Sequence, residues 1–131
     1  MEFKQIYKVL FIAVMLIGGI YTASAKTSAN NIVYNTQERN GLLVEQTLYK
    51  QEGKTLIHYL KYSYVYNNQN RIVENNIEKW DSENQKWTNG LTTKYSYEGQ
   101  NVITKTYKWN TTKREYQLMP SKTKTFKDYS L

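Results

Sequence analysis

The sequence predicts an all-β protein, an antiparallel meander of about seven strands built from repeated hairpins. Three observations predict it. Apolar and polar residues alternate with period two over long runs, the mark of a half-buried strand. Short polar turn sequences punctuate those runs. One phrase is written twice, KYSYVYNNQNRIVENNIEKW at 61–80 and KYSYEGQNVITKTYKW at 94–109.

The alternation is clearest in WTNGLTTKYSY. Trp87, Leu91, Tyr95 and Tyr97 fall on the odd positions, and Thr88, Thr92, Lys94 and Ser96 on the even ones. In Leu56–Tyr66 the residues Leu56, Leu60, Tyr62, Tyr64 and Tyr66 share one parity. Tyr, Thr, Val and Ile suit strands. Between the runs lie TQERNG, KQEGKT, NNQN, DSENQK, EGQN and NTTK, rich in residues that turn a chain tightly. Such short connections make antiparallel hairpins.

Taken in order, the punctuators delimit strands at roughly 31–35, 41–50, 54–67, 70–80, 86–98, 101–109 and 114–127. The last contains Pro120, which removes a ladder hydrogen bond and so belongs at an edge. No segment after residue 25 has a helical period, so no helix is at hand to cover the sheet's apolar face. The sheet must curl into a barrel or half-barrel, pair with another copy, or bind a partner.

The repeat has a frame. Tyr62-Ser63-Tyr64 matches Tyr95-Ser96-Tyr97, and Lys79-Trp80 matches Lys108-Trp109. Seven residues after each tryptophan stands another aromatic, Trp87 and Tyr116. Tyr49 followed by Leu56 fits as a weaker copy, which spaces Tyr49, Trp80 and Trp109 by 31 and 29 residues. A period near 30 is a repeat signal. Each hairpin solves the same burial problem beside its neighbour.

Residues 1–25 read as a cleavable signal peptide. Lys4 and Lys8 precede the apolar run Val9–Ile20, and Ala23-Ser24-Ala25 supplies small residues at the cleavage site. The run is 12 residues long, short of the roughly 20 a membrane-spanning helix needs. No cysteine follows it, which excludes a lipid-anchored lipoprotein, and a cysteine-free small exported domain fits bacterial export. Residues 26–131 form a single β-meander domain with no membrane span once the signal is removed. That segment holds 16 basic and 10 acidic residues, net +6. Residues 101–131 alone carry net +5, a basic end that would attract anionic polymers or membrane surfaces, or, the favoured reading, a lysine-rich edge of the kind that discourages sheet-to-sheet aggregation.

The pattern carried by Tyr62, Ser63, Tyr64, Tyr66, Asn67, Arg71, Ile72, Trp80, Asp81, Ser82 and Trp87 resembles small secreted proteins of unknown function from gut Bacteroidetes, with a signal peptide and a tyrosine-rich β-meander. It bears a looser likeness to the YD repeats of large secreted toxin shells. There, Asp-x-x-Gly-Arg stands where this chain has Asn67-Asn68-Gln69-Asn70-Arg71. The resemblance implies export and an all-β fold. It brings no activity, cofactor or catalytic residue.

The residues themselves supply no catalytic constellation. His58 is the sole histidine, without a cysteine or second histidine to share a metal or activate a nucleophile. The sequence has no Gly-rich phosphate loop, no G-x-S-x-G and no H-E-x-x-H. Glu74, Glu78, Asp81 and Glu83 are its best acidic cluster. Glu74 and Glu78 lie roughly 13 Å apart along a strand, beyond the 6.5–9.5 Å of inverting glycosidases. The reading of these charges is solvated carboxylates opposite lysines such as Lys94 and Lys105.

The aromatics carry the functional expectation. Residues 26–131 hold eleven tyrosines and three tryptophans. Tyr64, Trp80, Trp87, Tyr97, Trp109 and Tyr116 are the candidate binding residues, against the plainer role of filling the core. The expected function is an exported, non-enzymatic binding protein without cofactor or metal, its partner a glycan or a cell-surface protein. Nucleic acid is disfavoured by export. The alternatives are an assembly module that self-associates through its apolar face, and a carbohydrate-active enzyme using carboxylates brought together across strands.

Overall fold

The computed structural model describes residues 25–27 and 31–130. The expected signal peptide lies outside them except for Ala25. The strands are β1 (Ala25–Thr27), β2 (Ile32–Arg39), β3 (Leu42–Glu52), β4 (Thr55–Tyr66), β5 (Ile72–Asp81), β6 (Lys86–Glu98), β7 (Asn101–Asn110), β8 (Glu115–Leu118) and β9 (Lys124–Lys127). They follow chain order from β1 to β8 as an open antiparallel meander, and β9 returns to pair with β7. The sole helical element among the described residues is one 3₁₀ turn, Pro120–Lys122. No helix among them is long and apolar enough to cross a membrane.

The number of strands departs in two places from the seven expected. β1 is an additional short strand on β2, pairing Ala25–Thr27 with Ile32–Tyr34. The final strand is broken into β8 and β9 because Pro120 cannot donate to the ladder and opens the 3₁₀ turn instead. The backbone N–H of Met119 still donates to Thr106 O at 2.8 Å. Both pieces lie along the outer side of β7, β8 against Tyr107–Asn110 and β9 against Asn101–Thr104.

The chain divides into two compact units, one up to Leu60 and one from Lys61. In the first, Asn40-Gly41 links β2 to β3 with both residues at positive φ, 53° and 75°. That is what a two-residue type I′ hairpin turn demands, and asparagine and glycine adopt it most readily. The β2–β3 register shifts between Gln37 and Glu38, leaving Val44 as the extra residue of a bulge. Val33 and Leu43 are its buried apolar residues, and Thr36 and Thr47 are buried beside them. Tyr49 stacks obliquely on His58, ring centroids 5.0 Å apart.

The second unit is built on β5, β6 and β7. Register sorts their side chains onto two faces, since directly paired residues share a face. On one face run the rows Glu74–Lys94–Lys105 and Asn76–Thr92–Tyr107. On the other run Asn75–Thr93–Thr106 and Ile77–Leu91–Lys108. Val102, 2% exposed, packs opposite Phe126 on this second face. Full burial of such a side chain contributes roughly 1.5–3 kcal/mol.

One residue reverses part of the alternation read from the sequence. The β5–β6 register shifts between Ile77 and Glu78, where Gly90 is skipped. A Cβ on Gly90 would lie 2.6 Å from the Ile77 carbonyl oxygen, so glycine permits the approach that the bulge requires. Beyond it, Trp87 pairs with Trp80, which shares parity with Glu74 and Asn76. Trp87 therefore stands on the face opposite Tyr95 and Tyr97, although strict alternation groups all three.

Candidate functional site

The seven-residue spacing of the repeat is the signature of a particular hairpin. Trp80 pairs with Trp87, and Trp109 with Tyr116. Each pair meets edge to face, at 5.2 Å and 68° for the first and 4.9 Å and 66° for the second. This geometry lets the positive ring edge meet the negative face. Below each pair lies a four-residue loop organised in the same way. Asp81 Oδ1 accepts from the backbone N–H groups of Glu83 and Asn84, and Asn110 Oδ1 from those of Thr112 and Lys113. Each loop ends on a residue at positive φ, Gln85 at 50° and Arg114 at 55°. The weaker copy departs from this plan: a two-residue turn, Gly53-Lys54, follows β3, and Tyr49 meets His58 instead of Leu56.

Register sorts five of the six candidate aromatics onto the two faces of the second unit. Trp80, Trp87, Trp109 and Tyr116 share the face of Asn76 and Tyr107. Lys61 lies over the Trp87 ring at 5.0 Å and bridges to Glu78 at 2.8 Å, which fixes one flank of that face. Tyr97 is on the other face. Its hydroxyl donates to Ile72 O at 2.6 Å, and Arg71 lies 5.3 Å from its ring centre. The Asx turn that sets Arg71 in place uses Asn67 Oδ1, which accepts from the N–H groups of Gln69 and Arg71. Tyr64, only 7% exposed, is buried, and burial pushes its hydroxyl well above the ordinary tyrosine value.

On the tryptophan face the structure opens a groove of about 320 Å³. Its lining is Glu74, Asn76, Thr92, Lys94, Tyr107 and Tyr116. Of the six candidate aromatics only Tyr116 is among them, beside Glu74 of the acidic cluster and Lys94. Glu74 and Lys94 are indeed opposite one another across strands, as the charge pattern suggested. The groove holds a single carboxylate, while Glu78 is engaged with Lys61. Among the described residues no group of three or more His, Cys, Asp or Glu side chains is placed to hold a metal ion.

Register and turn chemistry thus build a tyrosine-rich antiparallel meander with paired aromatics at two of its hairpin ends. The chain belongs to the family of unknown function DUF3836, whose model matches residues 1–127. It is similar to a DUF3836 family protein from Bacteroides vulgatus, with 39% identity and a TM-score of 0.71 over 74% of this chain and 99% of that one. It is similar in fold to a DUF3836 family protein from Parabacteroides distasonis, at 22% identity and a TM-score of 0.63, covering 75% of this chain and 89% of the other. A protein of unknown function from Bacteroides fragilis shares the fold at 18% identity and a TM-score of 0.64, over 69% and 67% of the two chains. No curated protein matches the chain.

Proposed function

We propose that this chain is an exported, non-enzymatic binding protein that meets its ligand on the face carrying Trp80, Trp87, Trp109 and Tyr116. The observation that carries the reading is the coincidence of the groove with that face. The aromatic pairs there are held edge to face by register and loop geometry, so their ring surfaces are set before any ligand arrives, which lowers the ordering cost of binding. Export is supported by the order of charge, apolar run and small residues at the N-terminus. Glycans come first among ligands, since aromatic faces stack on sugar rings.

Tryptophan emission with acrylamide quenching, measured with and without a panel of host and dietary glycans, tests the reading. Emission that shifts with one glycan class supports it. Emission that is blue-shifted, protected and indifferent to every glycan removes it in favour of a core role for the aromatics. A second reading, self-association, is favoured by how little the fold buries: among the described residues no side chain falls below 2% exposure, and Leu118 is 46% exposed. A sedimentation mass that stays monomeric through the micromolar range rejects that alternative.

A further inference from the structure

We infer that the groove between Tyr107, Tyr116 and the Glu74–Lys94 pair is a site for one ring of a neutral oligosaccharide. The inference rests on the reading that the tryptophan-bearing face is the binding face. Its floor is a directed hydrogen-bond chain. Thr92 Oγ1 donates to Asn76 Oδ1 at 2.6 Å, and Asn76 Nδ2 donates to Glu74 Oε1 at 2.8 Å. Thr92 is 4% exposed, so this chain is anchored in the sheet. It leaves Glu74 Oε2 out of the chain, on a carboxylate whose orientation is already held. A carboxylate so placed accepts from sugar hydroxyls through strong, charge-assisted bonds.

The walls fit the same ligand. Tyr107 stands in the row of Asn76 and Thr92, and Tyr116 is braced by Trp109 at 4.9 Å while remaining 37% exposed. Two aromatic surfaces beside a row of polar groups suit a pyranose, which has apolar C–H faces and a polar rim. Lys94 lies 5.8 Å from the Tyr107 ring centre and supplies donors opposite the carboxylate. The volume is near the lower end of the roughly 300–1,000 Å³ typical of small-ligand sites.

Other ligand classes fit less well. One carboxylate and one ammonium make the lining charges balance, so phosphate-rich polymers, whose binding needs several cations, gain little here. A polar floor is a poor match for a lipid chain.

Amide chemical-shift titrations of the protein with malto-, cello-, xylo- and mannohexaose test the proposal. One hexaose class should shift the amides of Glu74, Thr92, Tyr107 and Tyr116. Glu74→Gln, which keeps shape and fold, should weaken that binding about tenfold or more, as loss of a charged hydrogen-bond partner does. Lys94→Met should weaken it as well. Binding that shifts Trp80 and Trp87 but ignores both substitutions overturns the groove site and leaves the binding face standing. No response to any hexaose at millimolar concentration overturns the saccharide assignment. The emission experiment on the wider glycan panel then decides whether the face itself survives.

Discussion

Trp80 meets Trp87 edge to face across the β5–β6 hairpin, and the loop between them closes on the carboxylate of Asp81. The same relationship recurs between Trp109 and Tyr116 above Asn110. Aromatic pairs of this geometry add about 0.5–1.5 kcal/mol beyond the area they bury. A double-mutant cycle of Trp80→Ala and Trp87→Ala, read by urea unfolding, should return a coupling energy in that range. Additive losses would show that the two rings act independently.

The hairpins were legible because their cause is local. The spacing from Trp80 to Trp87, an Asx residue just after the first aromatic and a polar run between are all written in the chain. The chain's strand character followed from Tyr, Thr and Val alternation. The faces were only partly legible. Alternation fails at Gly90, because a bulge is set by the approach of its backbone to Ile77, a residue on another strand. The groove was not legible for the same reason. Tyr107 meets Thr92, and Thr92 meets Asn76, only once register is fixed. The available hint was the charge pattern, in which Glu74 already called for an opposing lysine.

Gly90→Ala should be costly. The new methyl would press on the Ile77 backbone oxygen, a group that cannot swing aside as a flexible side chain could. Overpacking of this kind typically costs about 1–3 kcal/mol. Urea unfolding should show that loss. Gly41→Ala also places a methyl at positive φ, but with open space around it, so its cost is conformational only. A Gly90→Ala protein as stable as the native one would argue against the steric origin of the bulge.

Asp81 should give the stability a pH dependence on the acid side. The side-chain hydrogen bond from Asn84 chiefly holds its carboxyl below the usual carboxylate range, aided by the backbone N–H groups of Asn84 and Glu83 and by Lys86. A depressed native value means that the folded state favours the ionised form. The resulting stabilisation is present above the unfolded aspartate value of about 3.9 and is lost as pH falls through the folded one. The Tm advantage of the native protein over Asp81→Asn should therefore be full at neutral pH and shrink in acid. Asparagine can still cap the loop through Oδ1, as Asn110 does in the sister loop, so the variant should fold. A Tm difference that stays constant from neutral pH into acid would show that the charge contributes nothing.

Tyr64 should make the opposite limb visible. Burial is the main cause that raises its hydroxyl, with Tyr62, Tyr66 and Tyr95 adding to it, while a hydrogen bond with Asn75 works the other way. The folded protein therefore keeps this proton where an unfolded tyrosine, near pH 10, gives it up. The stabilisation is complete below that value and declines as pH rises above it toward the folded value. Tyr64→Phe removes the ionisable group. At neutral pH it should cost the net worth of a hydrogen bond, roughly 0.5–1.5 kcal/mol. Above pH 10 its stability should fall less steeply than that of the native protein, because the unfolded variant has one proton fewer to release. Tyrosinate absorbance should show the matching change, with the latest-titrating tyrosine missing from the variant. If native and variant proteins lose stability in parallel through the alkaline range, Tyr64 is ionising as freely in the fold as out of it.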